Sequence, residues 1–235
     1  MSLRLQLFVI TAALIVLESA SYAKPAPVVY YPVGATNAVP AMVWLHGYRS
    51  FPGALSDKEY FQRVADRLQI AVVGIPGTTT MPDETLVWSE EPAADHHYIQ
   101  EVLAAVGQKY KLNLERTGVF GFSQGAVVAA DIASRYPTSY RGALILSPGA
   151  ITDPKPATIA TESHKLQMYV AVCGAQEHPM NVETTRLYAK QLPNLGAKIV
   201  TKEYEGMKDH TRPPDFKERF PEWASQILGL EGNGR

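Results

Sequence analysis

A serine flanked by glycines stands near the middle of the chain, in residues 121–125 (GFSQG). The apolar run 117–122 predicts a buried strand before it, and the small residues 126–133 predict a closely packed helix after it. Glycines two residues to either side leave room for a sharp strand-to-helix turn that exposes the serine hydroxyl. We therefore take Ser123 as the candidate nucleophile. A Gly-Ser turn without chemistry is the alternative.

A serine hydroxyl is a poor nucleophile until a base takes its proton. His210 follows the last predicted strand on a loop that can reach the turn, and it comes after both the serine and a candidate acid in the chain. We expect it to be the base, with His178 as its rival. His46, directly after another apolar run, is expected to order loop backbone instead.

A carboxylate would orient the imidazole and stabilise it once it is charged. Glu177 follows the predicted strand 166–173 and is favoured for this role, while Asp153, after the preceding strand, is the alternative acid. Asp209 is adjacent to the histidine and too local to point at its ring. A solvated loop carboxylate without a role is the remaining interpretation of Glu177.

Two backbone N–H groups are expected to stabilise the oxyanion. One belongs to Gln124, the residue after the candidate nucleophile, and the other to Tyr48, just past the His46-Gly47 pair. The histidines and carboxylates lack the paired spacings of a zinc site, and no dinucleotide fingerprint is present. We therefore expect neither a metal nor another cofactor.

The elements that position these residues alternate between strands and helices. The predicted strands cover residues 28–33, 41–45, 70–75, 117–122, 141–146, 166–173 and 197–204; the predicted helices cover 58–69, 93–110, the stretch from the serine turn to about 136, 181–192 and a C-terminal region broken near Pro221. This alternation predicts an α/β fold with a mostly parallel central sheet and helices on both faces. The candidate side chains follow strand ends and meet at one sheet edge.

The segment 121–126 (GFSQGA), with Leu45-His46-Gly47 upstream and Gly206 then His210 downstream, resembles the α/β-hydrolase superfamily. The greatest similarity is to the phospholipase/carboxylesterase group, which includes acyl-protein thioesterases; polyhydroxybutyrate-depolymerase-like esterases are similar too. The resemblance covers residues 40–228 and departs from the common pattern in one place, where Glu177 stands instead of the usual aspartate.

The predicted reaction is two-step acyl transfer on a small-molecule or acylated ester or thioester substrate. A serine peptidase or amidase on the same fold is one alternative, and a non-catalytic binding protein is the other. Because the loops are short and no cap domain is inserted, we expect an open cleft with a wall from residues 78–92. Trp88 is either part of that wall or a core anchor for the loop.

Composition and net charge limit the kinds of molecule that the protein is expected to bind. The chain has 235 residues, is 46% hydrophobic and has a formal net charge of −1, so it predicts one domain and shows no basic stripe for nucleic acid. Cys173 is the sole cysteine and is expected to be a small buried apolar residue. Oligomeric state is not indicated.

The N-terminus has the pattern of an export signal. Arg4 precedes the apolar run 5–17, and small residues at 21 and 23 follow it, which predicts a signal peptide over residues 1–23 cut after Ala23. The run is shorter than the ~20 residues that a membrane span needs. We expect a mature domain over residues 24–235, secreted or periplasmic, without a membrane span.

Overall fold

The computed structural model describes residues 24–51, 57–89, 91–149 and 152–230. The predicted signal peptide lies outside these ranges, so cleavage and export stay predictions. Within them, no helix combines the length and the apolar character of a membrane span.

Nine strands and five α-helices organise the described residues. The strands are β1 (Val28–Tyr30), β2 (Val39–Leu45), β3 (Ala71–Ile75), β4 (Thr79–Thr80), β5 (Leu86–Val87), β6 (Leu112–Ser123), β7 (Gly142–Pro148), β8 (Met168–Gly174) and β9 (Lys198–Tyr204). The helices are α1 (Lys58–Leu68), α2 (Pro92–Lys109), α3 (Gln124–Arg135), α4 (Pro179–Asn194) and α5 (Phe216–Leu228), with a 3₁₀ helix at Glu162–Leu166.

Seven of the strands form one sheet in the order β1-β3-β2-β6-β7-β8-β9. Every neighbouring pair is parallel except β1 with β3, so the predicted mostly parallel sheet is confirmed. The short strands β4 and β5 pair with each other inside the loop 78–92. The carboxyl ends of the parallel strands therefore share one edge.

Strands β2, β3, β7 and β8 are buried on both faces, as their apolar runs predict, whereas the edge strand β9 is largely exposed. Along β2, Ala41, Val43 and Leu45 enter one core, while Met42 and Trp44 enter the other. The first core is covered by α2, α3 and α4, and the second by α1 and α5. Because helices cover both faces of the sheet, the candidate residues meet at the edge formed by the carboxyl ends of the parallel strands.

The predicted helix break at Pro221 is wrong. Pro221 lies inside the continuous helix α5, although it has no N–H to donate to the carbonyl of Lys217, four residues earlier. The hydroxyl of Tyr60, on α1, donates to that carbonyl instead, at 2.9 Å. Burial of Phe220 and Trp223 against α1 and the sheet also favours continuing the helix.

The hydrogen bond from the Tyr60 hydroxyl should therefore stabilise the protein, because Pro221 cannot donate to the same carbonyl. We expect Tyr60→Phe to lower the free energy of unfolding by about 1 kcal/mol, since it leaves the Lys217 carbonyl without a protein donor. In a Pro221→Ala background the same change should cost less, because alanine supplies an N–H for the helix bond. Urea denaturation of the four chains measures the difference, and equal costs in both backgrounds would contradict the assignment.

Candidate active site

Ser123 occupies a strained turn between β6 and α3. Its backbone has φ 56° and ψ −122°, a conformation that residues with a side chain rarely adopt. A Cβ atom on Gly121 would lie 2.1 Å from the carbonyl oxygen of Gly125, and one on Gly125 would lie 2.1 Å from that of Leu45. Only glycine fits at either position, so the 121–125 spacing follows directly from this turn.

The loop after β2 packs against the turn. A Cβ atom on Gly47 would lie 3.4 Å from the Cβ of Ser123, which places the backbone next to Tyr48 beside the serine. The Tyr48 N–H makes no hydrogen bond within the described ranges. The N–H of Gln124 has no acceptor within α3, because it is the first residue of that helix. Among the described residues, neither predicted oxyanion donor has an acceptor.

The structure brings His210 and Glu177 together. The Nδ1 atom of His210 lies 3.0 Å from Oε2 of Glu177, whose side chain is 0% exposed. The Nδ2 amide of Asn181 is 3.0 Å from the same ring nitrogen and 3.1 Å from the same carboxylate oxygen. Because an amide N–H₂ only donates, Asn181 donates to the carboxylate and the ring Nδ1–H also donates to it.

The other carboxylate oxygen of Glu177 is also fully engaged. It accepts from the Ser147 hydroxyl at 2.7 Å and from the Gly174 N–H at 2.7 Å. Burial by itself raises the pKa of this carboxyl, but the four hydrogen bonds, from His210, Gly174, Ser147 and Asn181, outweigh it and hold the pKa below its ordinary value. Glu177 is therefore an ionised, buried acceptor and not a solvated loop carboxylate.

The other candidates lie elsewhere. Asp153 is exposed and makes no hydrogen bond or ion pair within the described part of the chain. His178 is exposed and caps α4, where its side chain accepts from the Met180 N–H at 3.3 Å. Neither residue lines the pocket that holds Ser123.

Ser123 and His210 line the same pocket, which has a volume of about 540 Å³. The ring of Phe122 lies against that of His210, with 4.6 Å between centroids. The histidine's second ring nitrogen, Nε2, makes no hydrogen bond among the described residues. Its side chain is 39% exposed, so the pocket opens to solvent beside the serine.

Trp88 is a core anchor and not a wall of this pocket. It is buried, its indole N–H donates to the His46 carbonyl at 2.8 Å, and its backbone N–H donates to the Gln124 side chain at 3.1 Å. The described pocket walls come instead from the segments 47–50 and 210–212. Trp88 therefore connects the loop after β2 to the first residue of α3.

His46 orders loop backbone, as its position predicts. Its Nε2 accepts from the Gly77 N–H at 2.9 Å, so Nδ1 carries the ring proton and donates to the Gly47 carbonyl at 2.8 Å. Burial lowers the pKa of this imidazole and keeps it neutral. Asp95, whose pKa burial raises to about 6, fixes the neighbouring loop by accepting from the Ser89 N–H.

Two site residues were missed from the sequence. Asn181 stands four residues after Glu177, a spacing that brings side chains together at a helix start, and this signal could have identified it. Ser147 carries no such signal, because its contact depends on β7 and β8 being neighbours in the sheet. Within the described ranges, no group of three potential metal ligands is present.

Comparison with known proteins identifies the family. The family model described as "Putative esterase" matches residues 23–191, a range that contains Ser123 and Glu177 and ends before His210. No curated protein sequence matches the chain. Solved structures do match, although at sequence identities that show the fold alone.

The matching structures include several hydrolases. A carboxylesterase from Bacillus cereus has a TM-score of 0.63 at 15% identity, with 86% of this chain and 93% of that chain covered. An S-formylglutathione hydrolase from Agrobacterium tumefaciens has a TM-score of 0.60 at 16% identity, with 86% of this chain and 89% of that chain covered. The fluorophosphonate-binding serine hydrolase F of Staphylococcus aureus has a TM-score of 0.56 at 13% identity, with 86% of this chain and 91% of that chain covered. The chain has the α/β-hydrolase fold and belongs to the esterase family.

Proposed function

We propose that this protein hydrolyses carboxylic esters or thioesters through an acyl-enzyme on Ser123, with His210 as general base and Glu177 as the acid that orients it. One observation carries the proposal: a serine on a strained turn shares a pocket with a histidine whose Nδ1 bonds a buried carboxylate. That arrangement leaves Nε2 of the histidine available for the serine proton.

In the first step, Ser123 Oγ attacks the substrate carbonyl carbon while its proton passes to Nε2 of His210. The carbonyl oxygen becomes an oxyanion, which the N–H groups of Tyr48 and Gln124 stabilise. The positive charge on the ring is stabilised by the Glu177 carboxylate at 3.0 Å. This carboxylate is ionised at neutral pH because its pKa lies below the ordinary value.

Collapse of the tetrahedral intermediate breaks the bond to the leaving group, which takes the proton from His210 Nε2 and departs as an alcohol or thiol. Water then enters beside the acyl-enzyme. His210 removes one of its protons, the water oxygen attacks the acyl carbon, and Ser123 recovers its proton as the carboxylic acid leaves.

The glutamate that stands in place of the usual aspartate supports catalysis rather than a binding role. Its extra methylene carries the carboxylate from the loop after β8 to the imidazole, at ordinary hydrogen-bond distance. The fluorophosphonate-binding neighbour is also a serine hydrolase by its own description.

Removing either proposed catalytic side chain should abolish ester hydrolysis. We expect Ser123→Ala and His210→Ala each to lower kcat for p-nitrophenyl acetate by about 10⁴-fold or more. His178→Ala, a matched control at an exposed histidine, should stay within about twofold. A p-nitrophenyl chain-length series, run beside thioester and peptide substrates, measures these rates and assigns the bond type. Full activity in Ser123→Ala would refute the proposal.

The acid assignment is tested by two isosteric changes. Glu177→Gln should lower kcat/KM by about 10²–10⁴-fold, because a neutral amide neither fixes the ring tautomer nor stabilises the charged imidazole. Asp153→Asn should stay within about twofold, because that carboxylate is exposed and makes no hydrogen bond to the ring in the described part of the chain. Steady-state kinetics on one p-nitrophenyl ester compares them. A larger loss in Asp153→Asn would show that the acid is misassigned.

Trp88 should act through the oxyanion donors. Trp88→Phe removes the indole N–H that donates to the His46 carbonyl, so we expect kcat to fall about tenfold with KM nearly unchanged. Trp223→Phe makes the same chemical change in the core on the other side of the sheet and is the control. Equal effects of the two substitutions on kcat would mean that Trp88 contributes packing alone.

A further inference from the structure

The pocket that holds Ser123 is positively charged. Ten residues line it within the described ranges, and they include two arginines, Arg49 and Arg212, but neither an aspartate nor a glutamate. Glu177 does not line the pocket. Its carboxylate accepts a hydrogen bond from the His210 ring, so its charge interacts with the imidazole. Guanidinium groups at this place would attract an anionic part of a substrate.

Arg212 lies two residues beyond His210 and has no ion-pair partner among the described residues. Its guanidinium stands over the ring of Phe216, 5.2 Å from the ring centroid, which orients it without neutralising it. The carboxylate of Asp57, near the far side of Arg212, attracts this guanidinium electrostatically, but it forms its ion pair with Lys217 and accepts from the Tyr60 N–H.

The segment 52–56, which lies outside the described ranges, contains no charged residue. Arg49 is paired with Asp83 at 3.4 Å, but both side chains are about half exposed. Such an ion pair contributes little to stability, but Asp83 offsets much of the Arg49 charge, so Arg212 is the main source of positive charge in the pocket.

The position of Arg212 selects one part of the substrate. In the proposed reaction His210 protonates the leaving group, so the alcohol or thiol part of the substrate must lie beside the loop that carries residues 210–212. A guanidinium presents a planar fork of donors that matches a carboxylate. It would therefore contact an anionic group on the leaving side, not on the acyl side.

We propose that Arg212 is a specificity-determining residue that binds a carboxylate on the leaving group, so that the preferred substrates are esters or thioesters of carboxylated alcohols or thiols. This inference rests on the proposed function.

A matched pair of substrates tests the inference. The acetate esters para-acetoxybenzoate and para-acetoxybenzamide have nearly the same shape, but only the first carries a negative charge on its leaving group. We expect Arg212→Gln to lower kcat/KM for para-acetoxybenzoate about tenfold and to change that for para-acetoxybenzamide less than about twofold. Arg212→Lys keeps the positive charge but not the planar fork, so it should retain only part of the preference, and added salt should weaken the preference in the wild type.

Arg141→Gln is the control for net charge, because Arg141 precedes β7 and so lies at the opposite edge of the sheet. It should leave the ratio of the two kcat/KM values unchanged. Equal losses on both substrates in Arg212→Gln would show a structural role and overturn the inference. No loss on either substrate would also overturn it. Both results leave the proposed function intact. Absence of wild-type hydrolysis of these esters and of p-nitrophenyl acetate would overturn the proposed function itself.

Discussion

The backbone at Ser123 is the constraint on which the rest of the site depends. A positive φ at a serine is disfavoured by about 1–3 kcal/mol and persists only where the surroundings leave no alternative. Here Gly121 and Gly125 bring three stretches of backbone into contact, since a Cβ at either position would collide with a carbonyl oxygen. The turn ends the central strand β6 and begins α3, so the packing of the sheet and of that helix holds the hydroxyl in place. Trp88 extends this rigidity to the loop that carries Tyr48.

The second requirement is a buried negative charge beside an imidazole. An ionised carboxylate removed from water is costly unless it is paired and hydrogen-bonded. Glu177 meets this condition with donors from the end of β7 (Ser147), the end of β8 (Gly174), the start of α4 (Asn181) and the histidine. Four separate elements thus converge on one carboxylate, which fixes the ring as well as the charge.

Much of this could be predicted from the sequence, because the strands are continuous apolar runs and reactive residues follow their ends. The glycine spacing predicted the serine turn, and Glu177 and His210 were predicted from their places after strand ends and their order after Ser123. What could not be predicted depends on tertiary contacts. A local pattern does not show that the Tyr60 hydroxyl replaces the bond lost at Pro221, nor that Ser147 reaches a carboxylate on the next strand. The role of Trp88 was open for the same reason, since a tryptophan in a loop suits a core and a cleft equally well.

The most direct test of the account is the site of covalent labelling by a fluorophosphonate, read by mass spectrometry of the digested protein. If the strained turn presents an activated hydroxyl, the label will be found on Ser123 in the folded protein. It will be absent when the protein is denatured before labelling and strongly reduced in His210→Ala. Folded protein that remains unlabelled, or that carries the label on another residue, would contradict the central claim that the fold activates this serine.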